Sequence, residues 1–150
     1  NKCFEITNEA QSITFEALDK LDVNFSGIIL KPNMVISGAD CEKQASAEEI
    51  AELTIKCLAN NVPNEVPGIA FLSGGQSDED ASNNLSHINQ INTNPWKTTF
   101  SYGRALQLEA MKKWNGNNNN IALGRSILNK RAKLNSLAAA GKYNLEMENS

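Results

Sequence analysis

Histidine is almost missing: His87 is the only one in 150 residues, and the three cysteines, Cys3, Cys41 and Cys57, show no CxxC spacing. A zinc site has too few of its usual ligands here, and an odd cysteine count without framework spacing excludes a disulfide scaffold. A reducing compartment is the expectation. The chain also lacks a Lys/Arg-rich run, and its net charge of -3 and pI near 5.2 leave no electrostatic footprint for nucleic acid or an anionic membrane. Any anion site has to be local. No apolar stretch reaches the length of a membrane span, and the opening Asn1-Lys2-Cys3-Phe4-Glu5 has neither a signal-peptide core nor an initiator methionine. The sequence is therefore expected to begin inside a longer protein.

What is present is a globular composition, 41% hydrophobic and 21% charged, enough for one core and hence one domain over 1–150. Apolar strand-like runs alternate with amphipathic helical patterns. A first helix is predicted over Thr7–Leu21, with Thr7 as cap and Ala10, Ile13, Ala17, Leu18 and Leu21 at helical spacing. Phe25–Leu30 reads as a strand ending near Lys31, because Pro32 removes a ladder donor. Ser46-Ala47-Glu48-Glu49 matches a capping box ahead of a stripe of Ile50, Leu53, Cys57 and Leu58. Gly68–Leu72 is the second strand; Ser77-Asp78-Glu79-Asp80 caps a helix through Ala81, Leu85 and Ile88. Thr98–Ser101 is the third, followed by a helix with Ala105, Leu106, Met111 and Trp114 inward. The asparagine-rich Asn115–Asn120 reads as a solvated turn, and a last helix from Ile121 to Ala140 stops at Gly141. Strands alternating with helices imply an α/β protein with a parallel sheet.

Each strand ends on groups capable of chemistry. Lys31 follows an apolar run; buried there, its amine would lose hydration, fall in pKa and become a nucleophile toward a carbonyl. The plain alternative is a strand-end lysine reaching to water. Ser73-Gly74-Gly75 offers free amides near a helix start, suited to a phosphate, or is an ordinary strand-to-helix turn. Arg104 offers a fork of charged donors, or is a surface helix residue. In an α/β barrel the C-terminal ends of the strands face one mouth, which would bring Lys31, Ser73-Gly74-Gly75 and Ser101-Tyr102-Gly103-Arg104 together.

Three stretches then carry a likeness: Leu30-Lys31-Pro32-Asn33-Met34-Val35, Phe71-Leu72-Ser73-Gly74-Gly75-Gln76-Ser77, and Pro95-Trp96 followed by Thr99-Phe100-Ser101-Tyr102-Gly103-Arg104-Ala105-Leu106. In that order and spacing they resemble class I fructose-bisphosphate aldolase over nearly the whole chain. The resemblance implies a (β/α)8 TIM barrel, of which about three βα units and flanking helices are present, and a chemistry without metal or other cofactor. It implies reversible cleavage of fructose 1,6-bisphosphate to dihydroxyacetone phosphate and glyceraldehyde 3-phosphate in glycolysis and gluconeogenesis. Lys31 matches the imine-forming lysine; Ser73, Gly74, Gly103 and Arg104 match positions that hold the phosphate of the ketone half, with Ser101 on the same strand end. Cys41, Trp96 and Tyr143 match family positions without assigned chemistry, Trp96 reading as packing and His87 as a polar-face helix residue. A cytoplasmic homo-oligomer, a tetramer, acting on sugar phosphates is implied. The alternative is a non-catalytic role, binding actin or adhesin tails, or an inactive aldolase fragment; a transaldolase-like barrel would not repeat these motifs.

The departures are as informative. A complete barrel takes about 250 residues. The family's acid/base glutamate, second active-site lysine and aspartate lie on earlier strands, ahead of Asn1, and its closing C-terminal tyrosine is not matched by Tyr143. The chain alone is expected to be inactive.

Overall fold

The computed structural model describes residues 2–149, Asn1 and Ser150 lying outside the described residues. Five α-helices and a three-stranded sheet alternate along the chain: α1 (Lys2–Lys20), β1 (Ile29–Leu30), α2 (Ala47–Asn61), β2 (Gly68–Phe71), α3 (Asp78–Ile91), β3 (Lys97–Phe100), α4 (Arg104–Trp114) and α5 (Ile121–Ala139). Short 3-10 turns cover Phe25–Gly27, Asn118–Asn120 and Leu145–Asn149. The strands run parallel in the order β1-β2-β3, with Leu30 beside Ile69, Ile69 beside Thr98 and Phe71 beside Phe100.

Two caps form as their sequences dictate. Ser46 Oγ accepts from the Glu49 amide at 3.2 Å while Glu49 Oε2 accepts from the Ser46 amide at 2.9 Å, so two orphan donors at the start of α2 are satisfied reciprocally. Ser77 Oγ accepts from the Asp80 amide at 3.0 Å and opens α3. At the other end of the chain α5 stops where expected, with Gly141 at φ +67°. A Cβ at Gly141 would also come within 3.3 Å of Gln90 Cγ, so the stop is packed against α3 as well as left-handed.

Three expectations are corrected. The first helix begins at Lys2, and Thr7 is an interior, buried residue instead of a cap: its Oγ1 accepts from Asn33 Nδ2 at 3.0 Å, tying α1 to the loop after Lys31. The buried face of α1 is Thr7, Gln11 and Phe15, whereas Ile13 and Leu21 are 60% and 74% exposed. The Phe25–Leu30 strand shrinks to Ile29–Leu30, because Asn24 Oδ1 accepts from the Ser26 amide at 3.1 Å and caps a 3-10 turn over Phe25–Gly27. In α4, Ala105 and Ala110 are the buried residues, while Met111 and Trp114 face outward at 57% and 43% exposure.

Alternation along the strands sorts the sheet into two unlike faces. Leu30, Ile69, Phe71, Thr98 and Phe100 share the face packed against the helices, where Ile69 and Phe71 meet Leu58, Leu85, Ile88 and Leu134 in the core. Trp96 is buried and donates from Nε1 to the Pro63 carbonyl at 3.2 Å, consistent with packing. The opposite face carries Ile29, Lys31, Lys97, Thr99 and Ser101, all exposed, with Ala70 between them half-buried. A buried polar cluster locks α5 to α3 and to the C-terminal turn: Arg131 donates to Glu148 Oε1 at 2.5 Å and to Ser82 Oγ at 2.6 Å, and Ser82 donates to Asn135 Oδ1 at 2.9 Å.

Candidate active site

The parallel ladder runs one step past each assigned strand. The Leu72 amide donates to the Pro32 carbonyl at 3.0 Å and the Ser101 amide donates to the Phe71 carbonyl at 2.8 Å. Lys31, Ser73 and Ser101 therefore stand at the C-terminal edge of one sheet, although 70 positions separate the first from the last. With neighbouring strands about 4.8 Å apart, Lys31 and Thr99 are roughly 10 Å apart across Ala70, whose small side chain leaves the open face recessed between them.

Lys31 is exposed, which corrects the expectation of a buried amine. The reason is its strand: among the described residues β1 is an edge strand, paired with β2 alone, and nothing covers the face on which Lys31 stands. The backbone around it is nonetheless fixed. Asn33 bonds to Thr7, the Val35 amide donates to Thr54 Oγ1 at 2.9 Å, and Met34 and Val35 are each 1% exposed.

The loop after β2 is tight and partly buried. Ser73 is 8% exposed, and Gly74 and Gly75 both take positive φ, +59° and +85°. A β-carbon is strained in that backbone, which leaves the loop amides uncovered. The turn after β3 is held by Tyr102, whose ring packs 5.4 Å from that of Phe100 and whose hydroxyl donates to the Ala81 carbonyl at 2.9 Å; burial pushes that phenol well above its usual range. Gly103 follows, and α4 starts without a side-chain cap; the Leu106 and Gln107 amides donate to the Gly103 carbonyl, and those of Arg104 and Ala105 stay available to an anion. Ser101, Gly103 and Arg104 are exposed. Arg104 lines a cavity of about 120 Å3 with Gln76, Ser77, Asp78 and Lys112.

Gln76, Asn84 and Thr54 were not singled out by sequence reasoning, and Thr7 was read only as a helix cap, although each fixes one of these loops through a hydrogen bond. Only Gln76 lay inside a motif, and nothing local marked the pairings of the other three. His87, half-buried on α3, sits with Nε2 3.3 Å from Glu48 Oε1 in the first turn of α2. Cys41 is exposed. Among the described residues no cluster of three or more His, Cys, Asp or Glu side chains could hold a metal ion, and no helix is long and apolar enough to cross a membrane.

The family model for fructose-bisphosphate aldolase class-I matches residues 1–150. The chain belongs to the class I fructose-bisphosphate aldolase family. It is 47% identical over 141 residues to fructose-bisphosphate aldolase 1 of Toxoplasma gondii, covering 94% of this chain and 39% of that protein. It is 43% identical over 148 residues to a chloroplastic fructose-bisphosphate aldolase of Oryza sativa, covering 99% of this chain and 38% of that protein, so family membership does not fix a compartment. A solved aldolase from Plasmodium falciparum, in ternary complex with TRAP and a small-molecule inhibitor, superposes with a TM-score of 0.92 at 44% identity, covering 95% of this chain and 41% of that one. The chain thus spans about two fifths of the length of its aldolase relatives.

Proposed function

We propose that this chain supplies the carboxyl-terminal part of a single aldolase barrel domain, its last three βα units, and that the assembled enzyme reversibly cleaves fructose 1,6-bisphosphate to dihydroxyacetone phosphate and glyceraldehyde 3-phosphate. The observation that carries the reading is the alignment of Lys31, Ser73 and Ser101 at one edge of a parallel sheet in a chain of this family. The open sheet face supports the barrel, since parallel sheets are otherwise covered on both sides. Facing inward in a closed barrel, Lys31 would leave bulk water while keeping its position over Ala70.

In this mechanism the Lys31 amine adds to the ketone carbon of the open-chain sugar, and loss of water gives an iminium. That cation draws in the electron pair of the carbon-carbon bond as it breaks, a far better sink than a neutral ketone. Ser73, Gly74, Ser101, Gly103 and Arg104 hold the phosphate of the ketone half, the loop amides and the α4 start meeting its oxygens and Arg104 its charge. Holding the phosphate fixes the carbonyl against the amine, which is the orientational part of the rate enhancement. No residue of this chain is assigned the proton transfers; these belong to the rest of the barrel. The working enzyme is proposed to be a cytoplasmic homotetramer.

Borohydride reduction of the assembled enzyme with dihydroxyacetone phosphate tests the reading, because it traps an imine as a stable amine. The triose phosphate is expected on Lys31; a label on Lys43, Lys56 or Lys97 instead would sink the assignment. A second reading, in which the same chain also docks a protein partner such as an adhesin tail or actin, is favoured by the Plasmodium falciparum relative having been solved in complex with TRAP.

A further inference from the structure

Gln76 closes the loop after β2 and bonds to three parts of the site. Its backbone amide donates to the Ser73 carbonyl at 3.0 Å and its side-chain Nε2 donates to the same oxygen at 2.9 Å. The second hydrogen of that Nε2 reaches Met34 Sδ at 3.7 Å, on the buried segment three residues beyond Lys31. Its Oε1 accepts from Nδ2 of Asn84, 5% exposed on α3, at 2.7 Å. The Ser73 carbonyl can only accept, which fixes the nitrogen end of the Gln76 amide toward it and leaves Oε1 for Asn84.

The consequence follows from peptide geometry. The Ser73 carbonyl and the Gly74 amide belong to one planar trans unit and point in opposite directions. Glycines on the far side of that unit, at φ +59° and +85°, offer little resistance to its rotation. Two donors on the Ser73 oxygen therefore hold the Gly74 N–H aimed away from Gln76, toward the space outside the strand end. We propose that Gln76 is a positioning residue for phosphate capture, fixing the Ser73–Gly74 peptide through its carbonyl, with Asn84 orienting Gln76 and Met34 tying the same amide to the Lys31 loop. The inference deepens the aldolase reading and rests on it.

The test compares Gln76→Glu, which keeps the shape and removes the donors, with Asn84→Ala, each in the assembled enzyme. Borohydride trapping on Lys31 is titrated with dihydroxyacetone phosphate and with unphosphorylated dihydroxyacetone, alongside a thermal melt. Gln76→Glu should raise the half-trapping concentration of the phosphorylated ligand about tenfold, the scale of one hydrogen bond to a charged group, and that of dihydroxyacetone less than twofold. Asn84→Ala should follow in the same direction by a smaller factor and serves alone if the glutamate variant does not fold. Equal weakening for both ligands, or none for either, overturns the positioning role and leaves the aldolase reading standing. Failure of the unsubstituted enzyme to trap either ligand on Lys31 overturns both.

Discussion

Gly74 and Gly103 stand at equivalent places after β2 and β3, yet the backbone asks different things of them, so alanine at each separates folding from ligand contact. Gly74 has φ +59°, and a Cβ built there meets Leu72 Cδ1 at 3.2 Å. A left-handed alanine costs roughly 1–2 kcal/mol. The leucine contact adds little, because the atom is the end of a flexible, half-buried side chain. Gly103 has φ -91°, and nothing lies within 4 Å of a Cβ at that position. Gly103→Ala should therefore leave stability within about 0.5 kcal/mol, while its methyl occupies the approach of a phosphate to the first-turn amides of α4. In the assembled enzyme, urea melts should show Gly74→Ala destabilised by roughly 1–2 kcal/mol and Gly103→Ala unchanged. Half-saturation by dihydroxyacetone phosphate should shift about tenfold, some 1.4 kcal/mol, for Gly103→Ala. If Gly103→Ala bound that ligand as tightly as the parent, the glycine would serve only the turn and the phosphate would sit elsewhere. If Gly74→Ala melted like the parent, the left-handed loop would be misassigned.

Arg104→Ala should weaken binding of phosphorylated substrate by roughly 2–4 kcal/mol, the range for losing a desolvated charged partner, with an unphosphorylated ketose hardly affected; equal losses would mean that Arg104 serves the fold. Cys57 is 1% exposed, and burial, with a smaller push from Cys3, raises its thiol to about 11 from 9.0. Between those values the unfolded chain releases the proton and the folded chain keeps it, so stability falls as pH rises from 9 to 11, by something on the order of 2 kcal/mol. The stability gap between the parent and Cys57→Ala should accordingly narrow over that window in urea melts, and a constant gap would count against the buried thiol. Expressed alone, the chain should aggregate or melt without cooperativity and show no aldolase activity, since its open parallel face and unpaired β1 edge have no partner. Mixed with the amino-terminal half of an aldolase it should regain a cooperative melt and turnover together; cleavage of fructose 1,6-bisphosphate by the chain alone at a full enzyme's rate would refute the assignment of proton transfer to strands outside this sequence.

Where the sequence was legible, the cause was local. Ser46 with Glu49, and Ser77 with Asp80, carry their whole interaction within three residues, so the spacing itself states the bond. The same holds for Gly141, where a helix stop needs only a left-handed residue. The strand ends were legible for a related reason: Pro32 and Gly74 interrupt the ladder chemically, whatever lies around them. The pairings of Thr7 with Asn33, Gln76 with Met34 and Asn84 with Gln76 were not legible because they span 26, 42 and 8 positions, and polar pairing at such separations leaves no periodic trace. Lys31 illustrates a third case. Its run of apolar neighbours correctly marks a strand, but burial depends on what faces that strand, and β1 is an edge.

The helical misreadings fall on two helices, and one of them bears on the barrel. In α2 and α3, which lie between strands, most of the apolar stripe is buried where periodicity puts it: Ile50, Cys57 and Leu58 in the first, Ala81, Leu85 and Ile88 in the second. The helices that failed are α1, ahead of the first strand, and α4, after the last. Ile13 and Leu21 on one, and Met111 and Trp114 on the other, satisfy helical spacing yet stand open to solvent. A stripe written for a neighbour on each side is half-satisfied when one neighbour is absent; α1 packs along α2, whereas α4 lies along both α3 and α5, so Met111 and Trp114 stay open despite neighbours on two sides. The exposed face of the sheet, with Ile29 at 61%, has the same character. In a closed barrel the open sheet face would turn inward on itself, and α1 would gain a helix from an adjoining unit. On the aldolase reading proposed above, the apolar spacing on α1 and the open sheet face would be the imprint of packing partners that adjoining barrel units provide.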